Sequence, residues 1–328
     1  MAASNRTLAI LDVGHGNCAV LRDSRGTIVI DTGPGSGLLE YLAEQKITRL
    51  ELVLLSHADK DHIGGLAQLL AAKTVSIGRI CLNTDSAKGS ELWDDLLYEL
   101  NQADNRGELQ FEVSLARDVS GRFDQGDVRV EILGPSKYLA GRGPGSTDRQ
   151  GRPLTSNSVS AVIRLTRKGV PIALLPGDLD EVGLDDLVAN GVDAKAPLVV
   201  FPHHGGKGGT GDQTAFIQKL CAAIAPSTVV FSVGRGHQKH PLPAVILALR
   251  KNLKTVRVVC TQLNEHCATK IPTADPTHLA GVFARGREAR HCCGGTIVIA
   301  LDDPAKLSPD GGAHTAFIKT DAPTALCR

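Results

Sequence analysis

Leu52-Val-Leu-Leu-Ser-His57-Ala-Asp59-Lys-Asp61-His62-Ile-Gly-Gly-Leu66 is the stretch on which the fold reading turns. A short apolar run, the pattern of a buried strand, stops at a dense group of metal-ligand side chains. Two imidazoles and two carboxylates fall within positions 57–62, and a glycine pair leads on into a helical pattern. A core strand ordinarily leaves its sheet through a turn with few polar residues. Four ligand-type side chains at a strand end suit zinc, iron or manganese. A metal site is therefore expected over a merely acidic turn.

Upstream, residues 7–12, 18–21 and 27–31 read as short strands separated by glycine-punctuated turns. A helix follows to about residue 45, with Leu38, Leu39 and Leu42 on its apolar side. Downstream, the spacing predicts helices over 63–72, 91–102, 182–189, 213–223 and 243–253. Strands are expected at 77–82, 128–133, 159–165, 171–175, 197–201, 228–233, 256–260 and 296–301. Gly64 and Gly65 are read as letting the chain pass close to the metals. Residues 136–156, rich in Gly, Pro, Arg and Ser, read as a loop carrying Arg142, Arg149 and Arg152, either a solvated insertion or a substrate-facing one. No linker divides the chain, so one domain is expected over residues 1–305 with a C-terminal extension over 306–328. This is α/β architecture with sheets inside and helices outside.

Bulk properties narrow the function. The 328 residues are 42% hydrophobic with 35 glycines, as a loop-rich globular enzyme would be, and the formal net charge is +1. No global basic field favours tight, nonspecific nucleic-acid binding, although a catalytic pocket can still take a phosphodiester. Residues 1–7 lack the apolar segment of a signal peptide, and no run approaches the ~18 apolar residues of a membrane span. The expectation is a cytoplasmic protein without membrane insertion. The eight cysteines include the adjacent pair Cys292-Cys293, which suits buried thiols or metal ligands better than a disulfide scheme.

His57-Ala-Asp-Lys-Asp-His62 resembles the His-x-His-x-Asp-His signature of the metallo-β-lactamase superfamily, with Asp59 in place of the second histidine. Within it, the chain looks most like the soluble domain of the ComEC/Rec2 competence proteins, which share the Asp-x-Asp-His variant followed by Ile-Gly-Gly. Leu11-Asp-Val-Gly-His-Gly-Asn17 and Ile30-Asp-Thr-Gly33 resemble that group's opening motifs, with His15 and Asn17 where Gln and Asp are common. Asn157-Ser-Val-Ser160, Gly177-Asp178, Pro202-His-His-Gly205 and His240-Pro241 continue the series in order, so the likeness covers most of residues 8–301. The resemblance implies an αββα sandwich of the metallo-β-lactamase fold with a two-metal hydrolytic centre between its sheets. By position, His57 and Asp59 would hold the first ion, Asp61 and His62 the second, and Asp178 would bridge. His203 or His204 would complete the second, and sequence does not separate them. A typical member has a further histidine before the bridging Asp, but this chain has none between His62 and His203. The first site is thus expected to be oxygen-rich, which favours Mn2+ over Zn2+.

Two divalent ions can lower the pKa of a shared water and clamp a phosphoryl group. Asp61 or Asp59 is a candidate to orient that water, with occupation as a ligand as the competing role. His240 is a candidate for leaving-group protonation or phosphate contact, unless it only caps the following helix. Arg235 and Lys239 in the same loop suit phosphate contact, and His237 is left between such a role and simple exposure. His15 is a candidate pocket residue, with a turn that only requires small neighbours as the alternative. Asn157, on the catalytic side, and Ser160, on the substrate side, are expected to act through hydrogen bonds. Cys260, Cys267, His291, Cys292 and Cys293 are candidates for an additional structural Zn2+, with simply buried thiols as the alternative. The resulting expectation is a metal-dependent phosphodiesterase acting on DNA as a nuclease, alone or with a separately encoded protein partner. A small-molecule phosphodiesterase (phosphocholine or cyclic-nucleotide type) and a non-catalytic interaction module are the alternatives.

Overall fold

The computed structural model describes residues 6–236 and 238–328; His237 and the N-terminal residues that bear on the signal-peptide reading lie outside them. Apolar residues alternate along the early strands and face two different layers. Leu8, Ile10, Ala19, Leu21, Ile28 and Ile30 pack into a core shared with Val130, Ile132, Ile163, Leu165, Val200 and Val230 of a second sheet. Their neighbours Ala9, Leu11, Val20 and Val29 instead meet the leucines of the helices Gly37–Glu44, Lys60–Ala72 and Glu91–Asn105. The second sheet likewise turns Leu174, Val199, Val229 and Val258 toward helices Glu181–Ala189, Gln213–Ile224 and Pro243–Asn252. Period-two strands with both faces buried give four layers, helix–sheet–sheet–helix. The expected αββα sandwich is the fold.

The first sheet runs Asp303–Ser308, Ile297–Ala300, Thr7–Ile10, Cys18–Arg22, Thr27–Thr32, Leu52–Leu54, Arg79–Cys81, Gln110–Glu112. Its later strands, from Thr27–Thr32 onward, are parallel. The second sheet runs Arg257–Cys260, Thr228–Phe231, Leu198–Val200, Val170–Leu175, Val162–Arg167, Val128–Gly134, and its first four strands are parallel. Loops leaving the C-terminal ends of parallel strands in both sheets carry the ligand-type residues, where open α/β sheets hold ligands.

Two regions depart from expectation. Residues 136–156 contain the helix Lys137–Arg142, capped by the Ser136 hydroxyl, which accepts from Leu139 N at 3.2 Å. The arginines of this insertion are used within it and against its neighbouring helix. Arg152 pairs with Asp148 and Asp185, Arg142 donates to the Thr147 carbonyl, and Arg149 lies over the Tyr138 ring. At the C-terminus, the strand Asp303–Ser308 crosses residue 305, and the helix Gly311–Asp321 buries Phe317 and Ile318 in the second-sheet core. That strand is an exposed edge of sequence DPAKLS, so it carries no apolar alternation to mark it. Among the described residues, no helix is long and apolar enough to cross a membrane.

Candidate metal centre

Strand Leu52–Leu54 delivers Ser56 and His57 to the end of the sheet, and Asp59 begins helix Lys60–Ala72. Asp59 stands at the N-cap with extended backbone yet makes no side-chain capping bond. Its carboxylate is used elsewhere: Oδ2 lies 3.7 Å from His57 Nε2, and Oδ1 pairs with Lys88. His62, in the first helical turn, is fully buried. Of the two glycines that follow, Gly65 is fixed by packing against backbone, whereas Gly64 has room for a side-chain carbon. A Cβ at Gly65 would sit 2.3 Å from the Thr32 carbonyl oxygen, and one at Gly64 3.4 Å from Pro34.

Strand Val170–Leu175 presents Asp178 from the second sheet through a tight elbow. Gly177 has φ +54°, and a Cβ there would meet the Ser160 hydroxyl at 2.3 Å. Ser160 Oγ accepts from Asp178 N at 3.1 Å and donates to the Pro176 carbonyl at 3.2 Å. Ser160 is buried, and its hydroxyl ties the Asp178 backbone to the Pro176 carbonyl. After strand Leu198–Val200, His203 and His204 both hold left-handed backbone, φ 52° and 54°. Consecutive non-glycine residues in that region cost ~1–3 kcal/mol each and persist only where surrounding contacts fix them. Here His203 N donates to Asp178 Oδ1 at 3.1 Å, and His204 Nδ1 donates to the Ser232 carbonyl at 2.7 Å.

The two carboxylate oxygens of Asp178 divide these histidines. Oδ2 lies 4.0 Å from His57 Nε2 and 3.6 Å from His203 Nδ1. Oδ1 lies 3.3 Å from His62 Nε2 and 3.8 Å from His204 Nε2. Asp61 Oδ2 lies 3.1 Å from His204 Nε2 and 4.0 Å from His15 Nε2. Ligand atoms of His57, His62 and Asp178 fall within 4.8 Å of one another, as do those of His15, Asp61 and His204. Nε2 of His57, His62 and His204 is in each case buried and in no hydrogen bond. Buried polar atoms are normally satisfied. Three that converge on one carboxylate without bonding to it fit a pair of divalent ions. His57, Asp59 and His203 would hold one ion, and Asp61, His62, His204 and His15 the other, with Asp178 shared.

Outer contacts fix the imidazoles in the matching orientation. Asp31 Oδ2 accepts from His62 Nδ1 at 2.8 Å, so that Nε2 is the free face. Ser56 donates to Asp31 through its backbone N at 2.7 Å and its hydroxyl at 2.8 Å, and its Oγ also lies 3.0 Å from His57 Nδ1.

The electrostatics agree. Burial alone would raise the Asp178 carboxyl, but His62 and His204 outweigh it and hold the group well below the usual carboxylate range. Burial disfavours charge on His62, yet Asp178 and Asp31 prevail and raise its pKa well above the ordinary imidazole value. Asp61 is likewise held down to about 2 against its burial, chiefly by His204 and His62. His15, pressed by burial and by His204, falls to about 4. Burial also lowers His203 and His240.

The remaining candidates separate. His15 joins the centre, its ring centroid 4.4 Å from that of His204 and 5.6 Å from that of His240. His240 is half-buried, with Nδ1 unpartnered. Asn157 lies in the turn Asn157–Val159 with its carboxamide oxygen buried, and no hydrogen bond joins it to the histidines or Asp178. Arg235 donates through its guanidinium to the carbonyls of Leu263, Asn264, Ala268 and Thr269 and also lines the cavity beside Asp61. Lys239 is exposed and faces Glu265 at 3.5 Å. Of the cysteine-region candidates, Cys292 Sγ donates to Asp12 Oδ2 at 3.3 Å, and His291 packs its Cβ near Gly286. Cys260, Cys267 and Cys293 are buried together elsewhere.

Sequence reasoning missed Asp31, Ser56 and Lys88, which touch the ligands from distant or unremarkable positions. It also missed Lys60 and Arg285. These two exposed cations make no ion pair among the described residues and line a cavity of about 730 Å³ with Gly14, His15, Asp61 and Gln262. Asp31 was signalled only by its place in the Ile30–Gly33 motif.

A family model described as the metallo-beta-lactamase superfamily matches residues 11–211, more than half of the chain. The chain is 26% identical over 286 residues to ComE operon protein 3 of Bacillus subtilis (strain 168), covering 80% of this chain and 32% of that protein. It is 25% identical over 244 residues to competence protein ComA of Neisseria gonorrhoeae, covering 73% of this chain and 28% of that one. The chain thus spans about a third of the length of these curated relatives. Among solved structures it is similar to the metallo-beta-lactamase fold protein YhfI from Bacillus subtilis, with a TM-score of 0.48 and 10% identity over 78% of this chain and 97% of that one.

Proposed function

Since the chain belongs to the metallo-β-lactamase superfamily, with the ligand set of a metal-dependent hydrolase, we propose that it hydrolyses phosphodiesters and acts on DNA as a nuclease. The observation that carries this reading is the pairing of a split carboxylate, Asp178 with one oxygen toward each histidine group, with a cationic cavity at Asp61. When bound, two divalent ions activate water and neutralise the charge that builds on the phosphoryl oxygens. The chain's own residues do the rest. Asp178 ties the two ligand groups together, Asp31 keeps Nε2 of His62 turned inward, and Lys60 and Arg285 supply positive charge where an anionic backbone would enter. His240, with its pKa lowered by burial, is suited to hold or pass a proton at the edge of the group.

Metal preference follows from the ligands. His203 lies on the His57 side of Asp178, so the expected oxygen-rich first site gains an imidazole. Asp59, half committed to Lys88, offers less to an ion there. The first site is therefore a weaker but mixed nitrogen–oxygen site, open to Mn2+ or Zn2+. DNA is favoured by the motifs shared with the competence-protein domain. A small phosphodiester remains the second reading, because a 730 Å³ cavity is in the size range of small-molecule sites.

The test is hydrolysis of linear DNA and of bis-p-nitrophenyl phosphate with Mn2+ or Zn2+, comparing the protein with Asp178→Ala. We expect metal-dependent cutting of DNA that falls more than about 100-fold in the variant, beyond the loss typical of an outer contact. Cleavage of the small ester alone would replace DNA with a small diester. Bound metal with neither activity would overturn the hydrolase.

A further inference from the structure

A second set of ligand atoms assembles where the C-terminal tail meets the sandwich. Cys293 lies in the loop before strand Ile297–Ala300, His314 on helix Gly311–Asp321, and Cys327 just beyond that helix. Cys293 Sγ stands 3.2 Å from His314 Nε2 and 3.8 Å from Cys327 Sγ, and all three atoms lie within 4.8 Å of one another. A tetrahedral zinc ion at about 2.3 Å from sulfur and about 2.0 Å from nitrogen spaces its ligands roughly 3.8 Å apart for two sulfurs and roughly 3.5 Å for sulfur and nitrogen. Both observed spacings fall close to those values.

Cys267 reaches the same place from the other side. Its sulfur accepts from Leu326 N at 3.4 Å, one residue before Cys327, and its carbonyl accepts from Thr324 Oγ1 at 2.7 Å. We propose that Cys293, His314 and Cys327 hold a structural zinc ion that fastens the C-terminal tail to the sandwich, with Cys267, whose sulfur is not among the three mutually close ligand atoms, moving in as the fourth ligand. The three sulfurs and one imidazole are the donor set that selects zinc over the oxygen-seeking metals. Four protein ligands leave no position open for substrate, so the role is structural.

His278 braces the group, donating to the Cys293 carbonyl at 2.6 Å and stacking on Phe317 of the same helix as His314, 4.1 Å between ring centroids. Cys292 is excluded by its bond to Asp12. Cys260, at the end of its strand, is buried beside the group.

Sulfur ligands make this site separable from the histidine–aspartate centre, which has none. Cobalt added to the metal-free full chain should give a sulfur-to-metal charge-transfer band that saturates at one equivalent per chain. The band should survive Asp178→Ala and disappear in Cys293→Ser. The zinc-loaded wild-type protein should show a sulfur shell at about 2.3 Å in X-ray absorption, a readout that needs no variant. The proposal is overturned if wild-type protein fills the histidine–aspartate centre without any sulfur-to-metal band. It is also overturned if mass spectrometry under non-reducing conditions finds Cys293 and Cys327 joined in a disulfide. Loss of the band in Cys260→Ser but not in Cys267→Ser would overturn the ligand set.

Discussion

His62 was legible in the sequence as a ligand candidate, whereas Asp31, which aims it, was marked only by its motif. The two meet through a 2.8 Å hydrogen bond between residues thirty-one positions apart, and no local pattern announces such a pairing. Asp31 has φ 54°, a backbone setting that asparagine tolerates. Asp31→Asn therefore preserves the turn while replacing one acceptor of His62 and Ser56 by a donor. We expect metal affinity or activity to fall about 10–100-fold, measured by metal titration and by turnover on the same sample. Protonation acts on the same imidazole. In the metal-free protein His62 has its pKa raised, so its pairing with Asp178 and Asp31 stabilises the fold at acid and neutral pH and is lost as pH rises through the folded value. Asp178, held low, contributes stability that is lost only as pH falls through its own folded value. Metal must displace the His62 proton, so affinity should weaken as pH falls, and binding near neutrality should release protons. Calorimetry in buffers of different ionisation enthalpy checks this, and an enthalpy independent of buffer would contradict it.

At the scale of elements, periodicity located most strands and helices because nearly every one buries an apolar stripe. The exceptions have physical causes. Strand Asp303–Ser308 is a mostly exposed edge, and helix Lys137–Arg142 is only 6 residues long. The ligand motif could name His203 and His204 but not divide them, since the division depends on their left-handed backbones and on which Asp178 oxygen each meets. Likewise, the glycine of the Gly177–Asp178 pair could be read as part of a motif, whereas its cause is steric. Gly177→Ala would add a Cβ against Ser160 and Ser56 at positive φ. A loss of about 1–3 kcal/mol is expected from the backbone strain, with further loss if Asp178 shifts to relieve the clash. Denaturant unfolding measures the first and metal content the second. An unchanged midpoint would show that the elbow relaxes freely.

For the whole molecule, a formal charge of +1 hides a local excess of cations. Lys60 lies inside the ligand motif, at the start of its helix, and Arg285 in the segment before the last strands, so only folding brings them to one cavity. Removing both, Lys60→Ala with Arg285→Ala, should raise the KM for DNA with little change in kcat. It should also reduce the slope of log affinity against log salt by about 1 for each charge lost. An unchanged slope would show that DNA does not cross this cavity. The two sheets contribute unequally to the centre: His57, Asp59, Asp61 and His62 come from the first, Asp178, His203 and His204 from the second. Because one carboxylate serves both groups through different oxygens, occupancy of the two sides is linked rather than independent. An ion held on one side would fix the position and charge of the carboxylate that the other side shares. Loading should accordingly follow an order, the histidine-richer side first, and the protein at limiting metal should be a half-filled species with a ligand field of its own.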